Sequence, residues 1–200
     1  MAASTMRGAP AELLRDLVNE LIDRPPPEVD GFLDAAATCF ARHGFAHTSV
    51  PDIARQLGVS PATVYRQIGP VNGSARLVLA RDAHRLTDHL ASLLDEVTGP
   101  EAVVQMTVTV ARFIDEHPLT RKVLADEPQL TGQLLRFVPD AVRALTTILR
   151  RYVGEVAPFA DHEVVADLVM RLVVMAVLAP PSDLEAHIRA VLGPHLTSST

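Results

Sequence analysis

What this 200-residue chain lacks narrows it first. It has no tryptophan, two tyrosines and six phenylalanines, so its 48% hydrophobic share is carried by aliphatic residues. A core of alanine, valine and leucine favours closely packed helices over a sheet sandwich, which draws on aromatic residues. A single cysteine, Cys39, excludes a disulfide framework, and no Cys/His group has zinc-finger spacing. No uncharged apolar run reaches the roughly 18 residues of a membrane span, the longest candidate being Leu172–Leu178. The N-terminus carries acids early and has no apolar signal core. The expectation is a soluble, cytoplasmic protein with no membrane partner. Enzyme signatures are absent as well: no G-x-S-x-G, G-x-G-x-x-G, P-loop, H-E-x-x-H or Glu-x-x-His. The sequence therefore predicts no enzyme, no catalytic residue, no metal and no cofactor.

Positive charge is scarce but unevenly placed. The chain carries a net charge of −6. Residues 1–29 contribute −2 and residues 86–200 contribute −6, whereas residues 30–85, with six arginines and four acids, contribute +2. A modest basic patch on an acidic body can still dock to DNA, because screening limits the reach of distant acids to about 10 Å.

What is present is helix punctuation. Arg24-Pro25-Pro26-Pro27 cannot continue a helix and forms a boundary. Before it, Ala9–Asp23 has the apolar spacing of a short amphipathic helix on a mobile arm. After it, Phe32, Ala35, Ala36, Cys39 and Phe40 mark one buried face of a helix over Asp30–His43, which Gly44 ends. Cys39, on that stripe, reads as a packed thiol. Ser49 and Asp52 form a short capping box, and the helix they open stops at Gly58. Ser60 caps a third helix with Pro61 at its first position, where the missing N–H costs nothing, and this helix runs to about Ile68. Gly69-Pro70-Val71-Asn72-Gly73 reads as a loop. A long helix is expected over 74–97, then helices near 101–117, 119–126, 129–137, 139–156, 161–179 and 183–192. The predicted class is all-α. Its parts are an arm with a short helix (1–28), a three-helix helix-turn-helix domain (29–74), and a helical ligand-binding and dimerisation domain (75–200).

The segment Asp52–Arg66 carries the chemistry. Two short helices joined by a tight glycine turn are the core of a helix-turn-helix. Ile53, Leu57, Val59 and Val64 are the expected contacts between them, Ala54 permits close approach, and Gly58 takes the turn. The third helix then presents Pro61, Ala62, Thr63, Tyr65, Arg66 and Gln67. Short side chains at its start, a phenol for a phosphate, and Arg and Gln for base edges suit a major groove. Free N–H groups near Ser49–Pro51 and Ser60–Ala62 suit phosphate oxygens.

These residues resemble the TetR/AcrR family of regulators. The resemblance spans about residues 31–80: FLDAAATCFARHGF, then TSVPDIARQLGVSPATVYRQIG. It combines Gly44-Phe45, Thr48-Ser49-Val50, Ile53-Ala54, Gly58-Val59-Ser60 and Thr63-Val64-Tyr65. It implies that Tyr65 bonds a phosphate, that Thr63 and its neighbours lie in the groove, and that Ser49 anchors the second helix to the DNA backbone; Thr48 and Ser60 complete the set of DNA-binding candidates. Family members usually follow the tyrosine with an aromatic residue and a lysine that opens the next helix. Here the stretch Ile68–Arg76 reads as longer and lysine-free, with Arg76 as the substitute cation.

Beyond residue 85 the resemblance implies architecture only: a helical effector domain whose last two long helices make a four-helix homodimer interface. Leu168, Leu172, Met175 and Leu178 form the expected seam. Val103, Met106, Val110, Phe113, Leu134, Phe137, Ile148 and Tyr152 are candidates to line a pocket for a small-molecule effector, with core packing as their default reading. His43, His47, His84 and His89 have no carboxylate-rich partner set and are expected at the surface or in caps. The function so predicted is a ligand-responsive repressor that binds double-stranded, pseudo-palindromic DNA as a dimer. The rival is a ligand-binding or interaction protein on the same scaffold with degenerate DNA binding, favoured by the lysine-free loop and the small +2 balance.

Overall fold

The computed structural model describes residues 9–126, 146–147 and 149–197, and among them no β-strand occurs. The helices are α1 (Ala9–Leu21), α2 (Asp30–His43), α3 (Val50–Leu57), α4 (Pro61–Ile68), α5 (Val71–Glu96), α6 (Pro100–Glu116), α7 (Pro118–Asp126), a stretch over 149–156 (α8), α9 (His162–Leu178) and α10 (Leu184–Thr197). A 3₁₀ turn, Pro27–Val29, follows the prolines and leads into α2. The helix expected over 129–137, and most of the one expected before residue 149, lie outside the described residues.

Two boundaries differ from expectation. α5 begins at Val71, so Val71, Asn72 and Gly73 are its first turn and the loop shrinks to Gly69-Pro70. Ser74 supports this start by donating from its hydroxyl to the carbonyls of Ile68 (3.3 Å) and Pro70 (3.2 Å). Asn72-Gly73 is a turn signal locally, but a proline just before a helix and a serine in its first turn also suit a helix start. α10 runs on to Thr197 with Pro194 inside it, because its last turns bury Leu192 and Leu196.

The described residues form two compact units. The first comprises Ile22–Arg85 with the described part of Glu116–Arg136; the second comprises α1, the rest of α5, nearly all of α6, and α8 to α10. α5 contributes to both.

In the first unit, Leu33, Ala36 and Phe40 of α2, Ile53 and Ala54 of α3, Val64 and Ile68 of α4, and Ala75 and Val78 of α5 make one core. Cys39 belongs to it, and burial raises its thiol pKa. Phe45, just past α2, tilts against Phe40 with ring centroids 5.8 Å apart. α7 packs on α2. A cluster of ions fastens α5 to this unit. Arg81, 7% exposed, donates to Asp34 (2.7 Å) and Asp82 (3.0 Å), and His117 Nε2 donates to Asp82 at 3.0 Å. Burial pushes the Asp82 carboxyl up, but the bonds from His117 and Arg81 outweigh it and hold the group below the ordinary carboxylate range. His84 departs from the surface or cap role expected for it. It is 1% exposed, and its Nε2 bonds the Ile22 carbonyl at 2.9 Å, tying the chain before the proline run to α5.

In the second unit, α1 is core rather than a loose arm. Its Ala11, Leu14 and Val18 are buried, and Leu14 sits with Leu90, Leu94, Ala102, Met106 and Tyr152. A larger cluster joins α6 (Val103, Val104, Val108), α8 (Val153), α9 (Val165, Val169, Val173) and α10 (Ile188, Leu192). Glu101 of α6 forms a bidentate pair with Arg189 of α10, whose hydrogen bonds hold the carboxyl down at about 2.

Candidate nucleic-acid interface

The helix-turn-helix is built by caps at both helix starts and a glycine between them. Ser49 has the extended backbone of an N-cap, and both its N–H (3.0 Å) and its hydroxyl donate to the Asp52 carboxylate. Those bonds, with a third from Arg55 at 2.9 Å, lower the pKa of Asp52. Gly58 then adopts φ +68°, which a side chain with a Cβ resists, and Val59 N–H reaches back to the Ala54 carbonyl at 3.1 Å to close α3. Ser60 caps α4 by accepting from Thr63 N–H at 3.2 Å, with the two hydroxyls 2.9 Å apart. Pro61 occupies the first helical position.

With Val64 and Ile68 buried, α4 has one inward and one outward side. Pro61, Ala62, Tyr65, Arg66 and Gln67 are exposed, Tyr65 at 59%, and Thr63 is half-buried beside its cap. The six residues proposed for a groove therefore share the free side of one short helix. Ile53, Ala54 and Val64 are fully or almost fully buried between α3 and α4, and Leu57 is partly so. Val59 is not the buried contact expected; it is 38% exposed, because the left-handed glycine before it turns the chain outward.

Thr48 is placed differently from its neighbours. It is 7% exposed and its hydroxyl donates to the Gly44 carbonyl at 2.7 Å. It locks the α2–α3 connection from inside and presents no hydroxyl outward. Ser49 is half-buried, and its hydroxyl proton is engaged by Asp52, which leaves its lone pairs as acceptors only.

Charge on this unit is less available than the count suggests. Arg81 is consumed by Asp34 and Asp82, and Arg85 lies 3.6 Å from Asp82 and 3.8 Å from Asp30. Arg42, Arg55, Arg66 and Arg76 are exposed. Arg76 sits in the second turn of α5, only six residues beyond Pro70, so the shortened loop leaves it near the start of that helix. Sequence reasoning missed the Arg81 pairing altogether, since its partners lie 47 residues away and next door, and only Asp82 was visible as a local signal.

The pocket candidates separate. Val103, Met106 and Tyr152 are buried in core clusters, Val110 and Phe113 are half-buried, and Leu134, Phe137 and Ile148 lie outside the described residues. The Tyr152 hydroxyl, fully buried, has no hydrogen-bond partner among the described residues, and burial raises its pKa. On α9, Leu172 is buried in the core and Leu168 is half-buried, whereas Met175 and Leu178 are 54% and 53% exposed.

The comparisons bear on this geometry. The sequence model described as "Bacterial regulatory proteins, tetR family" matches residues 32–67, which run from α2 through the end of α4. The HTH-type transcriptional regulator AlkX of Mycobacterium tuberculosis is 26% identical over 170 residues, covering 70% of this chain and 80% of that protein. Among solved structures, the fatty acid degradation regulator FadR from Bacillus halodurans superposes with a TM-score of 0.61 at 19% identity, covering 86% of this chain and 95% of its own. Salmonella enterica GusR gives a TM-score of 0.60 at 22% identity, covering 90% and 100%. The helix-turn-helix falls inside the matched residues, so residues 32–67 are similar to the DNA-binding segment of the tetR family of bacterial regulatory proteins, and the chain is a DNA-binding transcriptional regulator.

Proposed function

We propose that the protein is a ligand-responsive repressor that binds a pseudo-palindromic operator as a homodimer. The observation that carries this reading is the division of α4, with Val64 and Ile68 inward and Pro61, Ala62, Tyr65, Arg66 and Gln67 outward. A recognition helix enters the major groove with its N-terminal residues at the base edges. Pro61, Ala62 and Thr63 fit closely there, Tyr65 bonds a phosphate, and Arg66 and Gln67 meet base edges. Ser60 and the first N–H groups of α4 approach the phosphate backbone, as do those behind Ser49, with Thr48 supporting that turn from within. Arg76 supplies the cation that family members place as a lysine at the start of the following helix. The rival reading, a scaffold with degenerate DNA binding, loses the long loop as a support, because Val71–Gly73 belong to α5.

Effector binding belongs to the second unit, around Val103, Met106, Val110, Phe113 and Tyr152. Aliphatic surroundings with one unpartnered phenol suit an apolar or acyl ligand that carries a single polar group for the Tyr152 hydroxyl. A ligand that favours a state with the two recognition helices wrongly spaced lowers operator affinity about 5- to 150-fold, the usual range of coupling between sites.

The test is selection of bound sequences from random duplex DNA, followed by salt titration of the winner. The expected result is a pseudo-palindrome with half-sites about one helical turn apart. Affinity should fall steeply with salt, each neutralised phosphate adding about −0.9 to the log–log slope. No enrichment at low salt would overturn the reading.

A further inference from the structure

α1 lies ahead of the residues that match the family model, yet it packs on the unit assigned to the effector. It has one apolar side, Ala11, Leu14 and Val18, all buried and separated by steps of three and four. Its outer side carries Glu12, Asp16, Asn19 and Glu20, all exposed. Leu14 enters the cluster of Leu90, Leu94, Ala102, Met106 and Tyr152. Those five side chains come from α5, α6 and α8, so α1 is the fourth wall of the cluster that holds Tyr152.

The four walls are not equally fastened. α6 also holds Val103, Val104 and Val108 in the larger cluster with α9 and α10, and α8 adds Val153 to it. α5 is anchored nearer its start by Ala75 and Val78, in the core of the first unit. α1 enters the described clusters through Leu14 alone. Its Arg15 Nε lies 3.9 Å from Asp88, and both side chains are nearly half exposed, so that pair holds little. A helix of 13 residues is marginal by itself in water, and the helicity of α1 therefore depends on docking. The chain just after it is fixed more firmly. His84 Nε2 donates to the Ile22 carbonyl at 2.9 Å, and Pro25, three residues on, is buried.

Tyr152 supplies the reason for a wall that moves. Its hydroxyl is fully buried with no hydrogen-bond partner among the described residues, a costly arrangement that a bound polar group relieves. Leu90, Leu94, Ala102 and Met106 are as closed, each at 4% exposure or less. A ligand reaches that phenol only when a wall gives way, and of the described walls α1 has the least to lose.

We propose that α1 is the movable wall of the effector site: Leu14 occupies the place that an aliphatic chain of the effector takes, and the bond from His84 to Ile22 is the pivot on which the helix swings out. This rests on the effector reading above and deepens it. The ligand so implied is an aliphatic chain ended by one polar group, with the chain in the slot that Leu14 vacates and the polar end on the Tyr152 hydroxyl. While docked, α1 lowers the apparent affinity, because only the open fraction of molecules binds.

The experiment uses the full chain with hexanoate, decanoate and hexadecanoate as probes. Calorimetry reads affinity, and hydrogen exchange of the α1 amides reads docking. In the wild-type chain the tightest of the three probes raises exchange across Ala11–Val18. Leu14→Ala loosens the wall and lowers the apparent Kd of that probe about tenfold or more. Leu14→Met, which keeps the side-chain volume, returns to the wild-type value, and Tyr152→Phe weakens the probe. Binding that depends on Tyr152 but leaves α1 exchange unchanged, or that Leu14→Ala fails to tighten, overturns the movable wall while the effector reading stands. No binding of any probe to wild type or to Leu14→Ala, or binding indifferent to Tyr152→Phe, overturns both. The exchange measurement on wild type needs no variant, so it decides the matter even if Leu14→Ala unfolds.

Discussion

α4 and α9 are both capped by an oxygen side chain, Ser60 in one and Asp161 in the other, yet they are held in place by opposite means. α4 has eight residues and buries two of them, Val64 and Ile68. Its position depends on the Ser60 cap, the left-handed Gly58 before it and the ion cluster that fixes α5 behind it. α9 has seventeen residues, buries six, and keeps an aliphatic outer side as well. Burial alone places it. The outer side of α4 is thus set by local caps and a turn, whereas the outer side of α9 carries exposed aliphatic residues, Val164, Val174, Met175 and Leu178, beside the Asp167–Arg171 pair.

The largest test of that contrast is Arg81. Arg81→Ala leaves Asp82 half-enclosed without its main cation and should cost about 3–5 kcal/mol, the usual penalty for removing one partner of a buried ion pair. Denaturant unfolding measures it, and a loss under about 1 kcal/mol would mean that packing, not ions, fixes α5. Next comes the reading surface itself. Arg66→Ala should weaken operator binding by about 1–3 kcal/mol and relax specificity at one base position, with thermal stability unchanged. Tyr65→Phe should weaken all sequences about equally. If both leave binding to the selected operator unchanged, α4 is not the recognition helix.

A smaller effect tests the aliphatic side of the comparison. Tyr152→Phe removes a buried hydroxyl that has no partner among the described residues and should raise stability by about 1 kcal/mol, because an unsatisfied polar group costs its desolvation. The same change should weaken an effector that uses this phenol, so melting temperature and effector-induced release of DNA move in opposite directions. Stability gained with no change in release would leave Tyr152 a core residue.

The smallest effect compares acid behaviour. Asp52 and Glu101 both have pKa values lowered in the folded protein, Asp52 by Ser49 and Glu101, to about 2, by Arg189. A lowered carboxyl contributes stability that is present above its unfolded value, near 4, and is lost as pH falls through the folded value. Asp52→Asn and Glu101→Gln should therefore lower the melting temperature at pH 7, with the difference fading below pH 4. Both groups face solvent, so both differences should shrink in high salt. A difference that grows toward acid would reverse the assignment.

Most of α2 to α4 is legible in the residues because their signals act over three or four positions. Ser49 with Asp52, Gly58, and Ser60 with Pro61 each meet a backbone group close in the chain, and the structure places all of them as caps and turn. The loop at 69–73 misreads for a related reason: Asn72-Gly73 is a turn signal by itself, and only the serine beneath it, bonded to Ile68 and Pro70, keeps the first turn of α5 helical. Val59 and Thr48 misread because outward or inward direction depends on the turn geometry rather than on residue type.

By itself the sequence determined the helical class, the stops and starts of the helix-turn-helix, and the polar residues on the outer side of α4. It did so because caps, glycine turns and three-to-four periodicity are short-range physics. Only the tertiary structure decided that α1 is core, that His84 is buried against Ile22, that Arg81 serves the interior, and which aliphatic residues of α9 remain outside. Those outcomes depend on partners tens of residues away, and valine or leucine carries no mark of the neighbour it will meet.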